Sequence, residues 1–340
     1  MSWRMPAETA RQERLWMSFP RPNATLGDGE DAEEARRAWS AVAHAALEFE
    51  PVTMLVDPET RADARRHLSA DIDVLEVPLD EYWLRDSGPT FVVGEDGRLG
   101  AVDWIFNGWG ANDDWTSWER EQRVARTVAE AAGAEVVPSL LVNEGGAIHV
   151  DGEGTVLLTR TVQLDPKRNP YADEARVEAE LARTLGTRHA VWLPRGLTRD
   201  YERFGTRGHV DILATIPSPG RVLLHEQRNP AHPDAAVSAL LKETFESAVD
   251  AAGRPFEIVP LAAPETLADE DGFVDWSYVN HVVVNGGVIA CGFGDPAADS
   301  RAAAILGEAY PGRRIVTVDA RPVFARGGGL HCITQQQPAI

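Results

Sequence analysis

The sequence predicts an α/β protein: a pseudo-symmetric, five-bladed, propeller-like single domain spanning residues 1–340. Three observations point there. Five amphipathic helical stretches alternate with short β-branched runs. A unit of strand, loop, strand, turn, strand and helix recurs with a period of about 60 residues. Similar landmarks follow one another at that spacing: Val77-Pro78-Leu79, Val137-Pro138-Ser139, Leu193-Pro194-Arg195, Val259-Pro260-Leu261 and Val318-Asp319-Ala320. Five units closing on themselves hold 340 residues in one domain, a length that otherwise favours two. A two-domain α/β arrangement with open sheets is the alternative.

The helices are predicted over 31–49, 117–133, 173–186, 234–253 and 297–309. All are rich in Ala, Glu, Arg and Leu, with apolar residues at three- and four-residue spacing. The fourth has the clearest stripe, with Val237, Leu240, Leu241, Phe245 and Val249. After each helix comes a run that reads as a buried strand: 51–56, 134–138, 188–194, 256–260 and 314–318. Two hairpins are explicit. Runs 90–93 and 99–102 flank Glu95-Asp96-Gly97-Arg98, and runs 147–150 and 155–159 flank Asp151-Gly152-Glu153-Gly154. Asn107-Gly108-Trp109-Gly110 and Asn285-Gly286-Gly287 read as turns.

The formal net charge of −20 argues against nucleic acid or an anionic membrane surface as partner, because both require basic protein surface. It suits a small cationic molecule, and equally a merely soluble surface. No run approaches the apolar length that spans a bilayer, and Met1-Ser2-Trp3-Arg4-Met5-Pro6 has no apolar signal region. Two cysteines cannot build a disulfide framework, which fits a cytoplasmic protein. A homo-oligomer is compatible with the sequence.

The loops after the landmarks carry the unusual polar residues. The first holds Trp83-Leu84-Arg85-Asp86-Ser87-Gly88-Pro89 and the second Asn143-Glu144-Gly145-Gly146. The third holds Gly205-Thr206-Arg207-Gly208-His209-Val210-Asp211, and the fifth Arg326-Gly327-Gly328-Gly329-Leu330-His331-Cys332. In a cyclic repeat, equivalent loops converge on the axis and share one cleft.

Cys332 follows three consecutive glycines, which open backbone conformations closed to other residues and leave room beside the sulfur. A lone thiol with histidines and carboxylates elsewhere is a candidate nucleophile; a buried cysteine after a glycine turn is the plainer alternative. The thiolate is the reactive form, so something must lower the thiol pKa or remove its proton on binding. His209 can carry protons near neutral pH. Asp86, Glu144 and Asp211 would raise the thiol pKa unless the substrate is a cation. A planar guanidinium fits, because each carboxylate accepts two parallel N–H donors. The expected chemistry is a clamp by Asp86 and Asp211, attack by Cys332, loss of ammonia aided by His209, and hydrolysis of a thiouronium by water that His209 activates. His209 and Asp211 are one residue apart and share a face if the segment is a strand. The plainer readings are a salt-bridged turn for Arg85-Asp86 and a pair of metal ligands for His209 and Asp211. His149 and His331 read as supports of strands or loops, and Cys291 as core.

Eight motifs, in order, carry a resemblance. They are Trp83-Leu84-Arg85-Asp86-Ser87-Gly88-Pro89, Phe106-Asn107-Gly108-Trp109-Gly110, Glu144-Gly145-Gly146, Lys167-Arg168-Asn169-Pro170, Gly208-His209-Val210-Asp211, Tyr278-Val279-Asn280, Phe293-Gly294-Asp295-Pro296 and His331-Cys332-Ile333-Thr334-Gln335-Gln336. The chain resembles the agmatine deiminases, in the bacterial-type peptidyl-arginine deiminase family of guanidine-modifying enzymes. The resemblance implies a propeller of five ββαβ units, no metal and no organic cofactor. It implies hydrolysis of a guanidine to a ureido group and ammonia, with agmatine giving N-carbamoylputrescine. By motif, Cys332 is similar to the family nucleophile, His209 to its acid and base, and Asp86 and Asp211 to its guanidinium clamp. The resemblance also implies that Glu144 and Trp83 line the site. The sequence departs from the family pattern at Thr9, Gly205, Thr206, Arg207, Ile212 and Gly329. Arg207 and Gly329 fall where the substrate tail would lie, and Arg207 would repel a distal ammonium or pair with a carboxylate. The alternatives are therefore a deiminase of free or peptidyl arginine or another guanidino acid, an amidinotransferase, and a non-catalytic binding propeller.

Overall fold

A computed structural model describes residues 2–111 and 116–340; Met1 and 112–115 lie outside the described residues. Five sheets repeat one internal order: an antiparallel pair of strands, then a strand parallel to the second, with a helix in the crossover. Strands Thr90–Gly94 and Leu99–Ile105 pair antiparallel, helix Val124–Ala132 follows, and Glu135–Val142 runs parallel to Leu99–Ile105. The same order holds for Ile148–Val150, Thr155–Thr159, helix Glu174–Leu185 and His189–Leu193. It holds again for Ala214–Ser218, Arg221–Glu226, helix Asp234–Ser247 and Glu257–Ala262. The next unit is Val282–Val284, Gly287–Gly292, helix Pro296–Ala309 and Arg314–Asp319.

The remaining unit joins the two ends of the chain. Thr334–Pro338 pairs antiparallel with Gln12–Ser18, helix Gly29–Leu47 follows, and Val52–Val56 runs parallel. Nothing local announces this pairing, because its partners lie more than 300 residues apart; Trp16 Nε1 donates to Gln337 Oε1 at 2.9 Å across |i−j| = 321. Asp73–Glu76 adds a further parallel strand to this sheet, and Trp3–Arg4 an antiparallel one to the sheet of Thr90–Gly94.

Local chemistry sets the helix limits. Asp173 and Asp295 cap two helices by accepting from Arg176 N and Ala298 N, and Pro296 occupies the first turn of the second. Gly133 and Gly186 end two helices in the left-handed conformation. The fourth helix stops at Ser247 and does not reach 253 as the periodicity predicts. The Asp250 carboxylate accepts from Ala252 N and Arg254 N, both at 2.9 Å, and builds a turn that competes with the helix. Val249, beyond the helix end, is exposed, and so is Leu240 within the helix, although both belong to the stripe. The helix predicted over 117–133 is regular only from Val124. Before it, Glu121 sits in a short 3-10 turn and is buried, accepting from Asp80 N and Glu81 N.

Candidate active site

Each functional loop follows the last strand of a unit. Trp83 and Asp86 flank and occupy a one-turn helix, Leu84–Ser87, after Asp73–Glu76. Glu144, Gly145 and Gly146 follow Glu135–Val142 in a 3-10 turn. His209 precedes the 3-10 turn Val210–Ile212, so His209 and Asp211 lie in a turn and not in the strand considered from the sequence. Their loop is organised by the Asp200 carboxylate, which accepts from Gly208 N at 2.6 Å, Thr206 N at 2.6 Å and His209 N at 3.2 Å.

These loops converge. A Cβ added at Gly146 would lie 2.5 Å from His209 Nδ1, 3.0 Å from Asp86 Oδ1 and 3.1 Å from Asp211 Oδ2. The three side chains therefore surround one small space that only glycine leaves open. Asp211 Oδ2 also lies 3.4 Å from Cys332 Sγ and accepts its S–H. Gly329 N and Asn280 Nδ2 reach the sulfur at 3.4 and 3.3 Å. Cys332, His209, Asp86, Asp211 and Glu144 are all buried. Trp83 packs beside the sulfur: a Cβ at Gly328 would meet its ring at 2.6 Å and Cys332 Cβ at 3.3 Å. Gly329 lies against Asn280 and Phe324 and offers the sulfur its backbone N–H. Arg207 is half-buried, with φ +73° in the loop that carries His209.

Several residues around this group lie in motifs named from the sequence but were given no role there. The loop of the fourth unit, named only as the motif Tyr278-Val279-Asn280, supplies Asn280, which also donates to Asp211 O at 3.2 Å and accepts from His331 N at 2.8 Å. The repeat itself was the available signal, since four of five equivalent loops already carried polar residues. Trp109, read as part of a turn, donates from Nε1 to Asp86 Oδ2 at 2.9 Å. Arg168 donates from Nε to Glu144 Oε1 at 2.9 Å, so Glu144 turns its other oxygen to His209 Nε2 at 3.4 Å. Arg85 does not form the turn bridge to Asp86. Its guanidinium donates instead to Gln335 Oε1 at 2.7 Å and to His331 O at 3.3 Å.

The electrostatics set opposing tendencies. Burial, reinforced by the carboxylates of Asp211 and Asp86, pushes the Cys332 thiol well above its ordinary range. Burial also raises Asp86, to about 6, against the pull of His209. Burial disfavours the His209 cation, but Asp86 and Glu144 outweigh it and raise the imidazole to about 9. Burial likewise opposes ionisation of Glu144 and Asp211. Arg168 and His209 hold Glu144 low, and the hydrogen bond and charge of His331 hold Asp211 low. Near neutral pH the site thus holds a protonated thiol, an imidazolium and three carboxylates: net negative, and built for a cation. Among the described residues no group of three or more His, Cys, Asp or Glu has the arrangement to hold a metal ion.

A scaffold of such units with a buried Cys, His and carboxylate group defines a guanidine-modifying class of site. Residues 4–338 match the family model for Porphyromonas-type peptidyl-arginine deiminase, and the chain belongs to that family. A Streptomyces coelicolor protein named "Putative agmatine deiminase" is 55% identical over 339 residues, covering 99% of each chain. A Pseudomonas fluorescens (strain SBW25) agmatine deiminase is 39% identical over 359 residues, covering 98% of this chain and 95% of its own. The solved agmatine deiminase of Enterococcus faecalis superposes with a TM-score of 0.92 at 30% identity, covering 99% of this chain and 96% of that one.

Proposed function

We propose that this protein is a hydrolase acting on a C–N bond of a linear amidine, and that its substrate is agmatine, converted to N-carbamoylputrescine and ammonia. One observation carries the reading. Cys332, Asp211, His209 and Asp86 share a buried space whose net charge suits a guanidinium. The agmatine deiminase relatives of high identity support the choice of substrate.

The guanidinium lies between Asp86 and Asp211 and offsets their charge. That weakens two of the causes that hold the thiol proton in place, so Cys332 releases it to solvent as the substrate binds. The sulfur attacks the guanidinium carbon and forms an S–C bond. His209, an imidazolium, gives its proton to the departing nitrogen, and ammonia leaves a thiouronium on Cys332. Neutral His209 then takes a proton from water as its oxygen attacks the same carbon. The C–S bond breaks as the added hydroxyl becomes the ureido carbonyl, its proton passes to the sulfur, and the ureido product departs. Trp83 closes the site beside the sulfur, and Asn280 and Gly329 N–H stabilise charge on it.

The finer architecture belongs to the same proposal: the five units form one five-bladed propeller in a single domain, closed by the pairing of Gln12–Ser18 with Thr334–Pro338. Among the described residues no helix is long and apolar enough to cross a membrane. Two free cysteines fit the cytoplasm.

Arg207 supports a second reading, a substrate with a carboxylate tail such as free or peptidyl arginine, because its cation lies on the loop of His209. Turnover of agmatine, arginine and a blocked arginyl peptide, scored for ureido product and ammonia, separates the two. Turnover of arginine without agmatine would overturn the first.

A further inference from the structure

Behind Asp211 lie buried charged residues, His331, Glu8 and Arg85, that the chemistry above does not use. His331 Nδ1 is 2.8 Å from Asp211 Oδ2, and His331 Nε2 is 2.7 Å from Glu8 Oε1. Both partners are carboxylates, which only accept while ionised, and a neutral imidazole has one N–H to give. Two short contacts of this kind require protons on both nitrogens. The charges then balance. Glu8 and Asp211 carry one negative charge each, His331 one positive, and Arg85, 3.9 Å from Glu8 Oε1, another. Among the described residues, the other titratable groups that act on the set are His149, 3.9 Å from Glu8 Oε1, His281 and Tyr310, and beyond Asp211 the groups Cys332, His209 and Asp86. Burial disfavours charge on all three central residues, yet their mutual attraction holds Glu8 and Asp211 below the usual carboxylate range and raises His331.

The geometry constrains Asp211 as well as its charge. The oxygen that accepts from His331 is the same Oδ2 that accepts from Cys332 and faces the space beside Gly146. His331 is itself fixed by its backbone N–H to Asn280 Oδ1 at 2.8 Å and by Arg85 Nε to its carbonyl at 3.3 Å. We infer that His331 is a positioning residue, an imidazolium clamped between Glu8 and Asp211 that aims the Asp211 carboxylate at the sulfur and substrate and keeps it ionised. Glu8, from the N-terminal segment, is the distant end of this relay. The inference rests on the proposed guanidine chemistry for its consequence, but the charge state of His331 is measurable without any substrate.

The test has two arms on the full chain. In the first, 15N-histidine-labelled protein is titrated by NMR, with His331 assigned by the signal lost in His331→Gln. The parent is expected to show both His331 ring nitrogens protonated from pH 6 to 8, and Glu8→Gln to show a neutral ring by pH 8. A neutral His331 in the parent at pH 7 overturns the inference. In the second, kcat/KM for agmatine is measured against pH. Glu8→Gln keeps a hydrogen-bonding side chain and removes the charge, so Asp211 loses its cationic neighbour. The alkaline limb is expected to move down by about one pH unit or more as the His331 ring deprotonates, with kcat/KM about ten-fold below the parent's at pH 8 and close to it at pH 6. A limb that coincides with the parent's also overturns it. If Glu8→Gln fails to fold, the NMR arm on the parent decides. A parent inactive on every guanidine would refute the proposed function and leave the nitrogen signals to judge the relay.

Discussion

Gly146→Ala should inactivate the enzyme without unfolding it. The backbone at Gly146 is not left-handed, so alanine meets no conformational penalty there. The obstacle is the new methyl group: 2.5 Å from His209 Nδ1, 3.0 Å from Asp86 Oδ1 and 3.1 Å from Asp211 Oδ2. Ordinary contact lies near 3.5 Å, so His209 or the backbone must yield by roughly 1 Å. A misplacement of about 1 Å costs on the order of a hundredfold in rate, equivalent to about 2.7 kcal/mol of transition-state stabilisation. Overpacking costs about 1–3 kcal/mol of stability, a loss visible as a lower melting temperature in a protein that still folds. Ureido product from agmatine gives kcat/KM, and calorimetry gives the melting temperature. Gly307→Ala is the control: its Cβ meets only Ile315 Cγ1, at 3.9 Å, so activity should not change. Gly146→Ala with activity within about threefold of the parent would refute the packed constellation, because a gap that tolerates a methyl group does not hold three catalytic groups in contact.

Further outcomes follow from the same geometry. The kcat/KM profile against pH should be bell-shaped. Asp86 must be ionised to hold a cation, so activity falls as pH drops through about 6; His209 must be protonated to release ammonia, so it falls again as pH rises through about 9. A flat profile between pH 5 and 10 would contradict these assignments. Asn280→Ala removes the side-chain donor to the sulfur and should lower kcat about 10- to 100-fold with a smaller change in KM, as steady-state kinetics will read. Arg168→Met leaves buried Glu144 without its guanidinium partner; a loss of about 3–5 kcal/mol in denaturant unfolding is expected.

Much of the candidate site was legible because its chemistry is carried by rare residue types. Cys332 is one of two cysteines, and His209 and Asp211 sit beside glycines that mark a loop. Their partners were not legible, because their roles depend on where distant backbones meet. Asn280, Trp109 and Arg168 look locally like a loop amide, a turn aromatic and a surface cation. Only the fold brings them to Cys332, Asp86 and Glu144. The repeating units were legible from alternation of helix and strand. The pairing of the two chain ends in one sheet was not, because Thr334-Gln335-Gln336-Gln337-Pro338 has weak strand propensity and its ladder lies at the other end of the chain. Gln335 fits there because its amide donates to Pro89 O and its carbonyl accepts from Arg85, a use no local pattern foretells.

The covalent step is the central claim, and rapid-quench mass spectrometry tests it most directly. Protein mixed with agmatine and acid-quenched during turnover should carry an adduct equal in mass to the substrate less ammonia, mapped by peptide sequencing to Cys332. An adduct on any other residue, or steady turnover retained in Cys332→Ala, would contradict the account.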